Sequence, residues 1–195
     1  MADLATLETI ERLMATQRAV RRVTAAPVDD ALMERILAAG TRAPSARNSQ
    51  PWRFIVVRNE ETKRKLGVMF DELGRQFYGD GAPDHDAWES VPVLVVVCSE
   101  YAFGRTESGS AALGASIYPC VQNILLAAHA AGLGTVLTTR WKAKEDDVRP
   151  LLGLTDAHAV HAIIPMGWPD RRYGKNKRQP VAEVMSREQY GTPWT

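Results

Sequence analysis

The chain is poor in cysteine: Cys98 and Cys120 are the two in 195 residues, and both stand in apolar runs. That argues against a disulfide framework or a cysteine zinc site and fits the buried thiols of a reducing compartment. An excess of charge of either sign is also missing. Lys plus Arg number 24 against 23 Asp plus Glu, a formal net charge of +1. No global field draws such a chain to nucleic acid or to an anionic membrane, so any anion site must be local. The N-terminus, MADLATLETIERLM, has no basic segment leading into an apolar run, which speaks against a secretory signal and for a cytoplasmic protein. Common catalytic signatures are absent as well: no Walker loop, GxSxG, HExxH or CxxC occurs. Gly132 and Gly134 are followed by Thr-Val-Leu, so the dinucleotide GxGxxG pattern fails at its third glycine. His158 and His161 lie three apart at a strand start, on opposite faces, which argues against a metal site.

What is present is the composition of a folded protein, 45% hydrophobic and 24% charged. At this length roughly 70% of the unfolded surface can be buried in one unit. Helical spacing of apolar residues marks Leu4–Thr16, Val28–Gly40 (with Asp29 or Asp30 as cap) and Glu60–Leu73. Short apolar runs mark strands at Phe54–Val57, Val91–Cys98 and Ala159–Met166, with a further candidate at Thr135–Thr139. Lys144–Leu152 reads as a short helix disturbed near Pro150, and Gly79–Asp86 as an exposed excursion. From Ser108 to Thr139 there is no Asp, Glu, Lys or Arg, a length that raises a membrane span. Ser116, Gln122, Asn123, His129 and Pro119 argue instead for a helix buried inside a soluble fold or oligomer. Helices alternating with about four strands give an α/β or α+β class.

Three segments carry unusual polarity. Gln17–Arg22 is cationic and follows the first helix, Pro44–Trp52 concentrates hydroxyls and amides between two prolines, and Lys175–Pro180 is basic. Each alone reads as a turn, a rigid connection or a soluble terminus. Together they supply cations from both ends of the chain plus a hydrogen-bonding loop, which suits a phosphorylated ligand with a polar heterocycle.

The order RAVRR, APSARNSQPWRFIVV, GASIYPCVQNILLAAHAAGLGTVLTT and AIIPMGWPDRRYGKNKRQPVAEV resembles the nitroreductase family of flavin enzymes from about Gln17 to Val184. The resemblance implies an α+β, three-layer α/β/α fold with a mainly antiparallel central sheet, formed by a single domain 1–195 whose residues 168–195 are a C-terminal extension. It implies a homodimer with FMN at its interface, NADH or NADPH as reductant, and ping-pong reduction of nitroaromatics, quinones or related acceptors. A flavin-sequestering protein, or a flavin-fragmenting or dehalogenating relative, shares the same scaffold.

Carried over by position, the resemblance assigns Arg18 and Ala19 to the first FMN contact and Arg21 to the flavin N1 and O2 side as electrostatic stabiliser. Pro44, Ser45, Ala46, Asn48 and Gln50 fall in the loop that reaches flavin from the partner subunit, and Arg47 falls where substrate or nicotinamide is met. Thr138 and Thr139 match the strand end at the pyrimidine edge and N5, and Arg178 matches the phosphate-binding arginine. Gln17, Ala19 and Asn176 depart from the usual residues. No side chain is required as nucleophile or base. Acceptor choice is expected between Phe70 and Trp88 and near Phe103.

Overall fold

The computed structural model describes residues 3–100 and 107–194; Phe103 lies outside them. Five α-helices, α1 (Leu4–Thr16), α2 (Asp30–Gly40), α3 (Glu60–Tyr78), α4 (Glu107–Ala130) and α5 (Glu145–Leu151), accompany four strands among the described residues. The strands are β1 (Trp52–Val57), β2 (Val93–Glu100), β3 (Gly134–Thr135) and β4 (His158–Gly167), in the order β1-β2-β4-β3. Every neighbouring pair is antiparallel.

The two central strands are near-continuous runs of Val, Ile and Ala, buried along almost their whole length, as expected of strands covered on both faces. Alternate residues divide between two cores. Val93, Val95, Val97, Ala162 and Ile164 pack with α2 and α4, while Leu94, Val96, Val160 and Ile163 pack with α3, α5 and Trp88. The result is three layers, helix on sheet on helix. Asp29 caps α2 by accepting from the Ala31 and Leu32 N–H groups, and Asn59 caps α3 through Thr62 N–H.

Helix α4 explains the charge-free stretch. Its segment Ala111–Ala130 is long and apolar enough to cross a bilayer by composition. Here Leu113, Ile117, Cys120, Val121 and Ile124 are sealed against the sheet and α2. Its outward stripe, Ala111, Ala115, Tyr118 and Gln122, is exposed and uncharged. Both thiols are free and buried, which pushes Cys98 up to about 11 and Cys120 up to about 12.

Two expectations need correction, and a third needs an addition. The Thr135–Thr139 strand is shorter, β3 proper covering two residues before Thr138 returns to bridge Ile163. Helix α3 runs on to Tyr78, because Arg75 and Tyr78 continue a regular turn that stops at Gly79, with φ of 54°. Gly79–Asp86 is exposed as expected, at Gly79, Asp80, Gly81, Pro83 and Asp84, and it is also pinned to the body of the fold. Arg22 ion-pairs with Asp84 and Asp86, Asp86 accepts from Val23 N–H at 2.7 Å, and His85 pairs with Asp71 at 2.9 Å.

Candidate functional site

Residues 18–23 form the spine of the site. Val20 N–H donates to the Thr135 carbonyl at 2.8 Å, and Val23 bridges Pro169, so the segment lies as an added strand beside β3. The approach is close because residue 134 is glycine: a Cβ there would fall 2.6 Å from Val20 Cγ1. Side chains along an extended segment alternate, and the alternation sorts the cations. Arg18 and Val20 line one cavity, whereas Arg21 lines another.

The cavity at Arg21 measures about 190 Å³. Val136–Arg140 and Pro165 form one side, Phe70, Tyr78 and Trp88 another, and His85 and Asp86 stand with Arg21. Thr138 is buried and its hydroxyl donates to the Ile163 carbonyl at 2.5 Å, so its proton is committed to the sheet. Its carbonyl is also taken, by Trp141 Nε1 at 2.9 Å. Thr139 is exposed and presents the freer hydroxyl. Arg140 lies over the Phe70 ring at 4.2 Å.

The cavity at Arg18 is larger, about 480 Å³, and is lined by Arg18, Arg171, Arg172 and Tyr173 with Thr16 and His129 behind them. Its lining contains no carboxylate among the described residues. The Tyr173 ring is flanked by Arg18 at 5.6 Å and Arg171 at 5.2 Å, and its hydroxyl donates to Asp170. Thr16 Oγ1 lies 2.8 Å from His129 Nε2, and burial lowers the His129 pKa, which keeps that ring neutral. The lining thus gathers three guanidiniums, with Asp170 engaged by the Tyr173 hydroxyl, and guanidiniums are the side chains suited to bidentate anions such as phosphate.

The structure does not put Arg178 on that cavity. Its Nη1 donates to the Lys177 carbonyl and its side chain is exposed. The tail is nevertheless moored close by. Asn176 Nδ2 donates to the carbonyls of Met14 and Gln17 at 2.9 and 3.0 Å, and its N–H to Ala15, satisfying the open C-terminal end of α1. A departure from the usual residue thus has a structural use, since Asn176 ties the basic tail to the start of the cationic spine.

The loop at 44–50 is built differently. Ala46 N–H donates to Ser116 Oγ of α4 at 3.1 Å, and Ser45 Oγ accepts from Gln50 N–H at 3.0 Å. Arg47, Asn48 and Gln50 all have positive φ, 55°, 54° and 47°, which non-glycine residues adopt at a cost of about 1 kcal/mol or more each. Pro44, Ala46, Arg47, Asn48 and Gln50 are exposed, and none of them lines either cavity. The sequence motif therefore becomes a strained, outward-facing loop. Arg140, Arg171, Arg172 and Tyr173 were not singled out from sequence. Their one signal was position: Arg140 is the first charge after the long neutral stretch, and 171–173 follow the PMGWP turn.

Known proteins share the sequence pattern and the fold. The family model described as the nitroreductase family matches residues 14–168. A Methanothermobacter thermautotrophicus protein provisionally named as an NADH dehydrogenase/NAD(P)H nitroreductase is 32% identical over 164 residues, 82% of this chain and 76% of that one. The NADPH:FMN oxidoreductase of Vibrio harveyi, solved with NAD+, superposes with a TM-score of 0.75 at 28% identity, covering 93% of this chain and 77% of that one. Iodotyrosine deiodinase 1 of Rattus norvegicus is 24% identical over 82% of this chain and 61% of its own. With its antiparallel sheet, its cationic spine and a family match over most of its length, the chain belongs to the nitroreductase family.

Proposed function

We propose that the protein is an FMN-dependent oxidoreductase that uses NADH or NADPH to reduce nitroaromatics, quinones or related electron-poor acceptors in a ping-pong cycle. The observation that carries the reading is the pair of cavities on either side of the 18–23 spine. One is cationic and free of carboxylates, as a phosphate requires, and the other is ring-sized with aromatic walls and a hydroxyl and guanidinium edge. The donor set fits a flavin mononucleotide. When bound, FMN supplies the two-electron chemistry that no side chain in the site could supply.

The chain's residues bind and tune. Arg18, Arg178 and the backbone at Ala19 are assigned to the phosphate end. Arg21 is assigned to the side of the ring where negative charge collects on reduction, and it stabilises that charge without reorganisation. Thr138 can only accept a hydrogen bond, so Thr139 and the backbone around it are the donors offered to the pyrimidine edge and N5. Pro44, Ser45, Ala46, Asn48 and Gln50 complete the site from a second copy, and Arg47 meets the acceptor or the nicotinamide.

The same reading makes the protein a cytoplasmic homodimer, one domain of residues 1–195 whose segment 168–195 is a C-terminal extension. Supporting it are apolar surfaces without cover in one chain. Leu4, Leu7, Ile10 and Met14 of α1 are 43–60% exposed, and Val181 and Val184 of the tail are both 67% exposed. With the uncharged stripe of α4, these surfaces suit an interface above roughly 2,000 Å² in total. The deciding experiment is anaerobic addition of NADH and NADPH, separately, to the purified yellow protein, followed by nitrobenzoate, menadione or a halogenated phenol. Bleaching followed by acceptor-dependent return of colour is expected. No bleaching with either nucleotide identifies a flavin-sequestering protein instead, and return of colour with the halogenated phenol alone identifies a dehalogenating enzyme.

A further inference from the structure

We infer that Arg140 is a fixed cation of the ring-sized cavity and that, beside Arg21, it raises the reduction potential of the flavin; the inference rests on the FMN reading above. Four contacts hold this guanidinium in place. It sits 4.2 Å from the Phe70 ring centroid and 5.0 Å from that of Tyr78. Its Nη1 donates to the Phe70 carbonyl at 3.5 Å. Its far end rests in a notch on α3 that exists because residue 74 is glycine, where a Cβ would collide with Nη1.

The charges around it leave Arg140 uncompensated. Asp86, the carboxylate in the cavity lining, is engaged by Arg22 and by Val23 N–H. Asp71 of α3 is taken by His85, and Glu72 of α3 by Lys144. Among the described residues no carboxylate ion-pairs with Arg140 or with Arg21. Two guanidiniums thus share a cavity of about 190 Å³ with aromatic walls. A half-buried charge is costly without a partner, and ring faces offset only part of that cost. A fixed cation that no carboxylate pairs with favours a reaction in which negative charge appears beside it.

Reduction by NAD(P)H is such a reaction. Two electrons and one proton leave the nicotinamide, which becomes NAD(P)+, and enter the isoalloxazine, which changes from neutral to singly negative. A cation at the ring edge favours the product over the reactant, so it raises the potential without touching the transferred hydrogen.

The test is the midpoint potential of the FMN-loaded protein, measured by equilibration with a reference dye, for wild type, Arg140→Met, Arg140→Lys and Gly74→Ala. Arg140→Met keeps the stem and removes the charge. It is expected to retain FMN while its oxidised-to-reduced ratio at fixed potential rises about tenfold, about 30 mV for a two-electron couple. Arg140→Lys should recover most of that change. Gly74→Ala, which displaces the guanidinium without removing it, should give a smaller shift in the same direction. FMN retained at unchanged potential in Arg140→Met overturns the inference while leaving the function intact. If that variant does not fold, an unchanged potential in Gly74→Ala overturns it equally. A wild-type protein that binds no FMN overturns the functional reading itself, and this inference with it.

Discussion

The cationic spine at residues 18–23 and the polar loop at residues 44–50 carry two halves of one expected site, yet the fold holds them in opposite ways. The spine is paired with β3 on one side and clipped to Asp86 on the other, and it borders two cavities. The loop is strained at three positions, exposed, tied to α4 by one Ser116 hydrogen bond, and borders neither cavity. A spine that faces its own cavities can bind within one chain. The outward-facing loop borders no cavity of its own chain, and the proposed flavin site therefore draws it from a second copy.

The largest expected effect comes from separating the two regions. Ala115 lies on the exposed, uncharged stripe of α4 one residue from Ser116, so Ala115→Glu places a charge where the second copy should pack. Sedimentation should show monomer, and FMN content should fall to near zero although every spine residue remains. Flavin kept by the monomer would mean that the spine suffices alone.

In the basic tail, Arg178 is assigned a charge-assisted bond to the phosphate worth about 1.5–3 kcal/mol, so Arg178→Ala should weaken FMN affinity roughly ten-fold to a hundred-fold. Fluorescence titration of the apoprotein measures it. Because Arg178 does not line the cavity of Arg18, an unchanged affinity would assign the phosphate to Arg18, Arg171 and Arg172.

Much of this contrast was legible in the sequence, and for identifiable reasons. Continuous β-branched runs announced the central strands, and the absence of charge from 108 to 139 announced a long apolar helix, although in one chain its stripe at Ala111, Ala115, Tyr118 and Gln122 stays exposed. The residues at 44–50 were also readable, since Pro, Ser and Asn in that order have few alternatives to a built loop. What could not be read was direction. Nothing local in Arg18-Ala19-Val20-Arg21 says that its two arginines enter different cavities; that follows from pairing with Thr135, more than a hundred residues away. Arg140 was invisible for a similar reason, its meaning resting on Phe70 and Gly74 of another helix. The clipping of Gly79–Asp86 to Arg22 was equally non-local.

The core between the two regions should also carry a pH dependence, since His161 of β4 meets the Tyr118 ring of α4 edge-on. His161, two residues before the Ile163 that pairs with Thr138, is buried with Nε2 2.8 Å from Ser99 Oγ, and burial pushes it down to about 4 from 6.5. The unfolded chain binds a proton more readily between those values. Stability is therefore complete above about pH 6.5 and is lost as pH falls towards 4, by up to about 3 kcal/mol. Denaturant unfolding at pH 7 and pH 5 should show the loss, and His161→Gln should flatten it.

The smallest effect tests the loop's tether to α4. Ser116→Ala leaves the Ala46 N–H without its acceptor, a change of about 1 kcal/mol that should weaken FMN binding several-fold and leave the dimer intact. Equal weakening of dimer and flavin would place Ser116 in the interface itself.

The most direct test of the central claim, a flavin site that two copies complete, is sedimentation velocity of the FMN-loaded protein followed in the flavin absorption band across a dilution series. Flavin is expected to travel with the dimer alone, one FMN per chain, and to be released as the dimer dissociates. Flavin sedimenting with a stable monomer at micromolar concentration would contradict that claim.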